Sequence, residues 1–294
     1  MIIRDKPGVL ELMFALRGSV LPQIAGQLAL VVAVAAAVLV WDRHVSPLPH
    51  VSGTPFAVFG VALSLFLGFR NNAAYERWWE ARKLWGGLLA DARSLAREAA
   101  LFLPEEAERR AVLRGFLAFL HLHRCALRGL PPDAAALRHL PEGCASAPDA
   151  VLDAVNAALA AQHRGGGLDG FGARALSARL GAIALAQAGC ERIRATPLPY
   201  VYSLLVFRTC WIYCLLLPLA LLEPAGWLAP LFAGIVAYTF FGLAEVTEEL
   251  AHPFGQTANS LPLDAICRAV EISLAPHLGE VAPEPLAPVA FRLD

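Results

Sequence analysis

Four apolar runs frame the chain. Residues 20–41 are broken only by Pro22, Gln23, Gly26 and Gln27. Their length matches the roughly 20 residues that a helix needs to cross a bilayer. Trp41 closes the run, where an interfacial aromatic is expected. Residues 51–69 form the second run, with no charge from Pro55 to Phe69. No Gly or Pro then interrupts the chain up to Trp85, although Arg70, Asn71, Asn72, Tyr75, Glu76 and Arg77 follow at once. One helix therefore continues through the change, half in lipid and half in water or headgroups. Residues 198–222 and 227–244 are the third and fourth runs, with a tight turn expected at Glu223-Pro224-Ala225-Gly226. Arg208 splits the third run. A charge at the bilayer centre costs about 2.5–3.5 kcal/mol on insertion scales, so Arg208 is expected near the cytosolic interface or facing the protein interior. Glu245, Glu248 and Glu249 are expected to mark the exit of the fourth run into water.

The segments between these runs read as an aqueous helical part. Helical patterns cover 88–103, 105–127, 148–163 and 171–195, separated by Pro104, Pro131-Pro132, Pro141 to Gly143 and Gly165 to Gly167. No strand-type alternation or internal repeat is present. Residues 1–20 alternate Val9, Leu10, Leu12, Met13, Phe14 and Leu16 with Arg4, Asp5, Lys6, Glu11 and Arg17. This predicts a short amphipathic helix on the membrane surface. A signal peptide is the rival, but the next apolar run exceeds an h-region of about 7–15 residues. An amphipathic helix is predicted over 261–274, followed by a Pro-containing extended tail. The organisation is thus an N-terminal segment with two crossings (1–86), a cytosolic helical region (87–196), two further crossings (197–250) and a cytosolic C-terminal part (251–294).

Composition agrees with that division. Of 294 residues, 57% are hydrophobic and 17% charged, and the apolar share exceeds the roughly half usual for soluble domains. A net charge of −1 points to no nucleic-acid or acidic partner. Basic residues fix the orientation. Four crossings place both termini and the 70–200 region on one side. The opposite loops hold Arg43 as their single Lys or Arg, besides His44 and His50. The positive-inside rule makes the common side cytoplasmic, with both termini there. The six cysteines form no CxxC pair and suggest neither disulfide framework nor zinc site.

Candidate chemistry is sparse. No dinucleotide fingerprint, P-loop, HExxH or GxSxG motif is present, and no enzyme activity, cofactor or metal site is expected. In the HLHRC run only His121 and Cys125 share a helix face, and no third ligand is apparent. The three glutamates of the fourth run read as a solvated helix end rather than a carboxylate site. The second run is sharper. Val61, Leu65 and Phe69 are spaced by four and line one helix stripe. In a lone subunit such a stripe is ordinary packing. Around an axis of several copies it makes three stacked apolar rings, which can constrict and gate a pore by dewetting. Arg70, Asn71 and Asn72 follow at the inner mouth.

Three ordered blocks give this pattern a family context. FLGFRNNAAYERWWEARKLWG from Phe66 to Gly86 resembles the signature of bacterial bestrophins. ATPLPYVYSLLVFRT, starting at Ala195, and HPFGQTANSLPLDAICRAVE, starting at His252, are similar to two further family blocks. Residues 125–185 match loosely. The resemblance implies an all-α, funnel-shaped homopentamer with four transmembrane helices per subunit and a helical cytosolic domain. It implies an ion channel with a central pore, passing small monovalent ions (chloride-type anions or sodium-type cations). Its implied partners are other copies of itself, membrane lipids and the permeant ions, and its implied location is a bacterial inner membrane, which it crosses several times. The three constricting side chains of the family's neck fall on Val61, Leu65 and Phe69. A lower cytosolic constriction is implied too, inside the loosely matching section. His252 replaces the family's usual Asp. Gln256, Thr257, Ala258, Asn259 and Ser260 carry no carboxylate where animal bestrophins place a calcium clasp. Calcium prefers several oxygen ligands, commonly carboxylates, so calcium activation is not carried over. Asp264 reads as a first-turn helix charge. A secondary transporter and a non-conducting membrane scaffold are the alternative functions.

Overall fold

In the computed structural model, residues 1–3, 8–15, 18–49 and 51–294 are described. Among them the regular structure is helical, and the only β pairing is isolated bridges, Ile2 with Arg292 and Val289 with Arg292. In chain order the helices are α1 (Val9–Met13), α2 (Leu21–His44), α3 (Gly53–Phe102), α4 (Glu106–Arg128) and α5 (Ala134–Arg138). They continue with α6 (Pro148–Arg164), α7 (Gly170–Ala195), α8 (Tyr200–Ala225), α9 (Ala229–Ala251) and α10 (Leu263–Leu278). The chain divides into two compact units.

The first unit comprises Asp5–Trp78 and Pro197–His252. It contains α1, α2, the apolar half of α3, α8 and α9. Three stretches are long and apolar enough to cross a membrane: Leu21–His44, Gly53–Phe102, and Tyr200–Ala251, which comprises α8, a 3-10 turn and α9. Of the most apolar windows of α2 and α3, only 22% is buried within the chain, so their remaining faces require lipid or another copy. The core is built by α2, α8 and α9 packing on one another, with Leu63 and Leu67 of α3 inserted. Tyr213 meets Phe240 edge-on at 5.3 Å, and a Cβ on Gly60 would lie 2.8 Å from the Tyr213 hydroxyl. Only Gly fits that approach without movement.

Two expectations change here. The turn predicted at Glu223 to Gly226 begins later: α8 runs through Pro218 and Pro224 to Ala225, and the chain turns at Gly226–Leu228, with Gly226 at φ +52°. Proline removes one backbone donor but leaves the carbonyls of the last turn available, so it does not set the boundary; the positive-φ glycine does. The N-terminal helix is confined to Val9–Met13, with Val9, Leu10, Leu12, Met13 and Phe14 exposed. Arg4, Asp5, Lys6, Leu16 and Arg17 of that expectation, and His50 of the orientation argument, lie outside the described residues.

The second unit comprises Met1–Arg4, Trp79–Thr196 and Pro253–Asp294. Its centre is α4, packed by α5, α6, α7 and α10. Residues Gly115 to Cys125 of α4 are buried on every face, as expected of a helix surrounded by others. The element ends follow local chemistry. Gly129 at φ +70° closes α4, and its N–H donates to the carbonyl of Ala126. The Asp169 carboxylate accepts from Gly172 N at 2.6 Å to cap α7, satisfying one of the first-turn donors. Gly279 at φ +67° ends α10 four residues past the predicted 274.

Candidate functional site

Helix α3 presents two contrasting faces in the first unit. Leu63, Leu67, Arg70 and Ala74 make its buried seam, at 3%, 0%, 5% and 0% exposure. Val61, Leu65 and Phe69 project elsewhere and are 63%, 58% and 64% exposed. Successive members are one helical turn apart, about 6 Å along the axis. Three large apolar side chains thus stand free of their own subunit in one row. Asn72 is exposed beyond them, and Asn71 is half-buried with its Oδ1 3.5 Å from the Thr247 hydroxyl.

Arg70 belongs to the other face. Its Nη2 donates to Ser203 Oγ at 3.0 Å and to Glu248 Oε2 at 2.7 Å. One residue of α3 thereby ties the start of α8 to the end of α9. Arg77 adds a bond from its Nε to the carbonyl of Ala251 at 2.8 Å. Burying a guanidinium is costly unless it is paired, which explains why a carboxylate sits there. The expectation that Glu245, Glu248 and Glu249 form a solvated helix end holds only in part: Glu248 is 51% exposed near the end of α9, but it is not simply solvated. Glu248 pairs with Arg70, and Glu249 is 8% exposed. Arg208 is exposed rather than turned to the interior of its own chain, because the buried seam of α8 follows Val206, Cys210, Tyr213 and Leu217.

The second unit carries its own buried polar groups. Arg124 and Arg128 both donate to Asp264, at 2.5 and 2.6 Å, and Arg124 also pairs with Asp133. Asp264 does occupy the first turn of α10, as its position suggested, but it also bridges two nearly buried arginines of α4. Burial opposes ionisation of Asp133, yet the Ala136 N–H and the Arg124 guanidinium outweigh it and hold this carboxyl below its usual range. Burial likewise opposes ionisation of Glu271, while hydrogen bonds from His121 and Arg268 hold it low. His121 Nε2 lies 2.8 Å from Glu271 Oε1. His123 is stacked between Trp85 and Phe119, at centroid distances of 5.7 and 5.6 Å. Neither of its ring nitrogens has a partner, and burial pushes its pKa down to about 4. The HLHRC run thus supplies an ion-pair partner and a stacked core ring. Among the described residues no group of three or more His, Cys, Asp or Glu is placed to hold a metal. No cysteine is in a disulfide; five are buried and Cys144 is half-buried. Burial pushes the Cys190 thiol up to about 12 and raises that of Cys267.

A helical protein with several bilayer-length apolar segments and an unpacked apolar stripe now has a family. The model described as Bacterial/Fungal Bestrophin protein matches residues 1–276, and the chain belongs to the bestrophins. It is similar to a voltage-dependent anion channel-forming protein of Mesorhizobium japonicum, 46% identical over 298 residues, covering 99% of this chain and 96% of that protein. A protein of the same description from Escherichia coli is 41% identical over 285 residues, covering 93% of each. The crystal structure of a bacterial bestrophin homologue from Klebsiella pneumoniae matches with a TM-score of 0.82 at 32% identity, covering 88% of this chain and 99% of that one.

Proposed function

We propose that copies of this chain assemble around one axis, five by the family resemblance, as a membrane channel for small monovalent ions. Val61, Leu65 and Phe69 form its neck. The observation that carries the reading is their exposure of 58–64% in one subunit, in a bestrophin whose relatives are named as anion channel-forming proteins. Four crossings per subunit, with α8 and α9 as the last two, put both termini in the cytoplasm and the assembly in a bacterial inner membrane. Lipid covers the outer faces. Asn71 and Asn72 supply polar groups at the inner mouth, and Arg70 holds that part of α3 from behind through Glu248 and Ser203. An apolar ring discriminates through the cost of dehydration and does not select the sign of charge. The names of the relatives favour anions.

Reconstitution of the purified protein in planar bilayers tests this. Under a NaCl gradient, passive single-channel currents reversing near the chloride equilibrium potential are expected. Reversal near the sodium potential would replace anion by cation selectivity. Slow saturating turnover coupled to a gradient, or no ion passage, would overturn the channel reading in favour of a transporter or a scaffold.

A further inference from the structure

A cavity of about 400 Å³ opens in the first unit beside the Arg70 network. Its polar lining includes Arg70, Ser203, Glu245 and Glu248, and its apolar wall includes Phe207 and Phe241. Only Nη2 of Arg70 is used by the chain. Nε is shut off from the cavity, whereas Nη1 makes no hydrogen bond among the described residues. An unsatisfied Nη1 on a guanidinium 5% exposed is costly, and an anionic oxygen acceptor would relieve it. Glu245, half-buried on the same lining, has no hydrogen bond or ion pair among the described residues. A cation would suit it. With Glu248 already paired, the cavity lining offers one guanidinium nitrogen and one carboxylate that are unpaired among the described residues, against a wall of aromatic and aliphatic groups.

We infer that this cavity binds a phospholipid whose headgroup joins a phosphate to a primary ammonium, as in phosphatidylethanolamine. The phosphate accepts from Arg70 Nη1, the ammonium donates to Glu245, and an acyl chain lies along Phe207 and Phe241. The occupant is a lipid rather than a free zwitterion because the apolar wall belongs to α8 and α9, which are apolar enough to cross a membrane. Phosphatidylcholine offers Glu245 no N–H donor. Phosphatidylglycerol brings a net negative charge to a lining that already carries two carboxylates and one guanidinium. The inference rests on membrane location and does not require ion conduction.

Native mass spectrometry of the full-length protein in detergent tests it, with the three lipids matched in acyl chains. The wild type is expected to retain phosphatidylethanolamine at about tenfold lower concentration than either other lipid, equivalent to about 1.4 kcal/mol. Glu245→Gln is expected to bring the three within about twofold, and Glu245→Asp to keep the preference. Glu245 holds no partner among the described residues, so the Gln variant leaves the Arg70 network in place. Equal retention of all three lipids by the wild type, an undiminished preference in Glu245→Gln, or no lipid retained because a neighbouring subunit fills the cavity would each overturn it. None of these readouts uses ionic current, so failure of the channel reading is scored separately.

Discussion

Leu65 is the middle residue of the exposed α3 row, and its own subunit loses little when it is shortened. At 58% exposure, Leu65→Ala leaves no cavity of the buried kind. The proposed neck, by contrast, widens at its centre. Single-channel current is expected to rise about twofold or more at unchanged thermal stability, because a wider apolar ring lowers the dehydration barrier; unchanged current would remove Leu65 from the neck. His123 makes the opposite case, a fully buried side chain with consequences for stability. Its folded-state pKa of about 4 lies below the ordinary 6.5, so the unfolded chain takes up the proton first. The stability tied to the neutral ring is complete above about pH 6.5 and is lost as pH falls towards 4, by about 3 kcal/mol. His123→Phe, which keeps a ring between Trp85 and Phe119, is expected to flatten this acid limb. Thermal melts of both proteins between pH 7 and pH 4.5 measure it, and parallel pH dependence would count against the assignment.

Helix α4 shows how closely one element specifies its neighbour. A Cβ on Gly115 would fall inside contact distance of Cγ2 of Val155 on α6. Gly115→Ala adds up to about 1 kcal/mol of helix propensity, but overpacking typically costs about 1–3 kcal/mol, so the clash wins and the melting temperature falls. In a Val155→Ala background the same change is expected to become neutral or stabilising. A double-mutant cycle by thermal or denaturant unfolding reads the sign change. Elements of this length were largely legible in the sequence, since helical patterns bounded by Gly or Pro give α4, α6 and α7 within a few residues, and the length of an apolar run gives α2. What the sequence hid was tertiary. The five-residue α5, between Pro132 and Pro141, is too short for periodicity and is held by the Asp133 cap and its pairing with Arg124. Pro224 looked like a helix stop, and only the position of Gly226 shows where the chain turns.

At the scale of the whole molecule, the row Val61, Leu65, Phe69 was readable from its spacing, because i, i+4 positions share a face whatever the context. The partners of Arg70, Arg124 and Arg128 were not. Glu248 lies 178 residues beyond Arg70, and Asp264 lies 140 beyond Arg124, so no local pattern links them. Without these partners the three glutamates of α9 look like a wet helix end, whereas one of them neutralises a buried charge. The carboxylate-free stretch Gln256 to Ser260 bears on regulation of the proposed channel. Liposome flux is expected to be the same in EGTA and in millimolar calcium. A calcium-dependent change of severalfold would show that the assembly builds a calcium site from groups beyond this stretch.

The cysteine pattern makes the native chain its own reporter. Five thiols are shut away from reagents, and Cys144, in the turn after α5, keeps part of its surface open. A maleimide dye under non-denaturing conditions is expected to add once per chain, at Cys144, with no engineered cysteine and no deletion of the others. Counting bleaching steps from single labelled assemblies would then read the number of subunits directly, in unmodified protein.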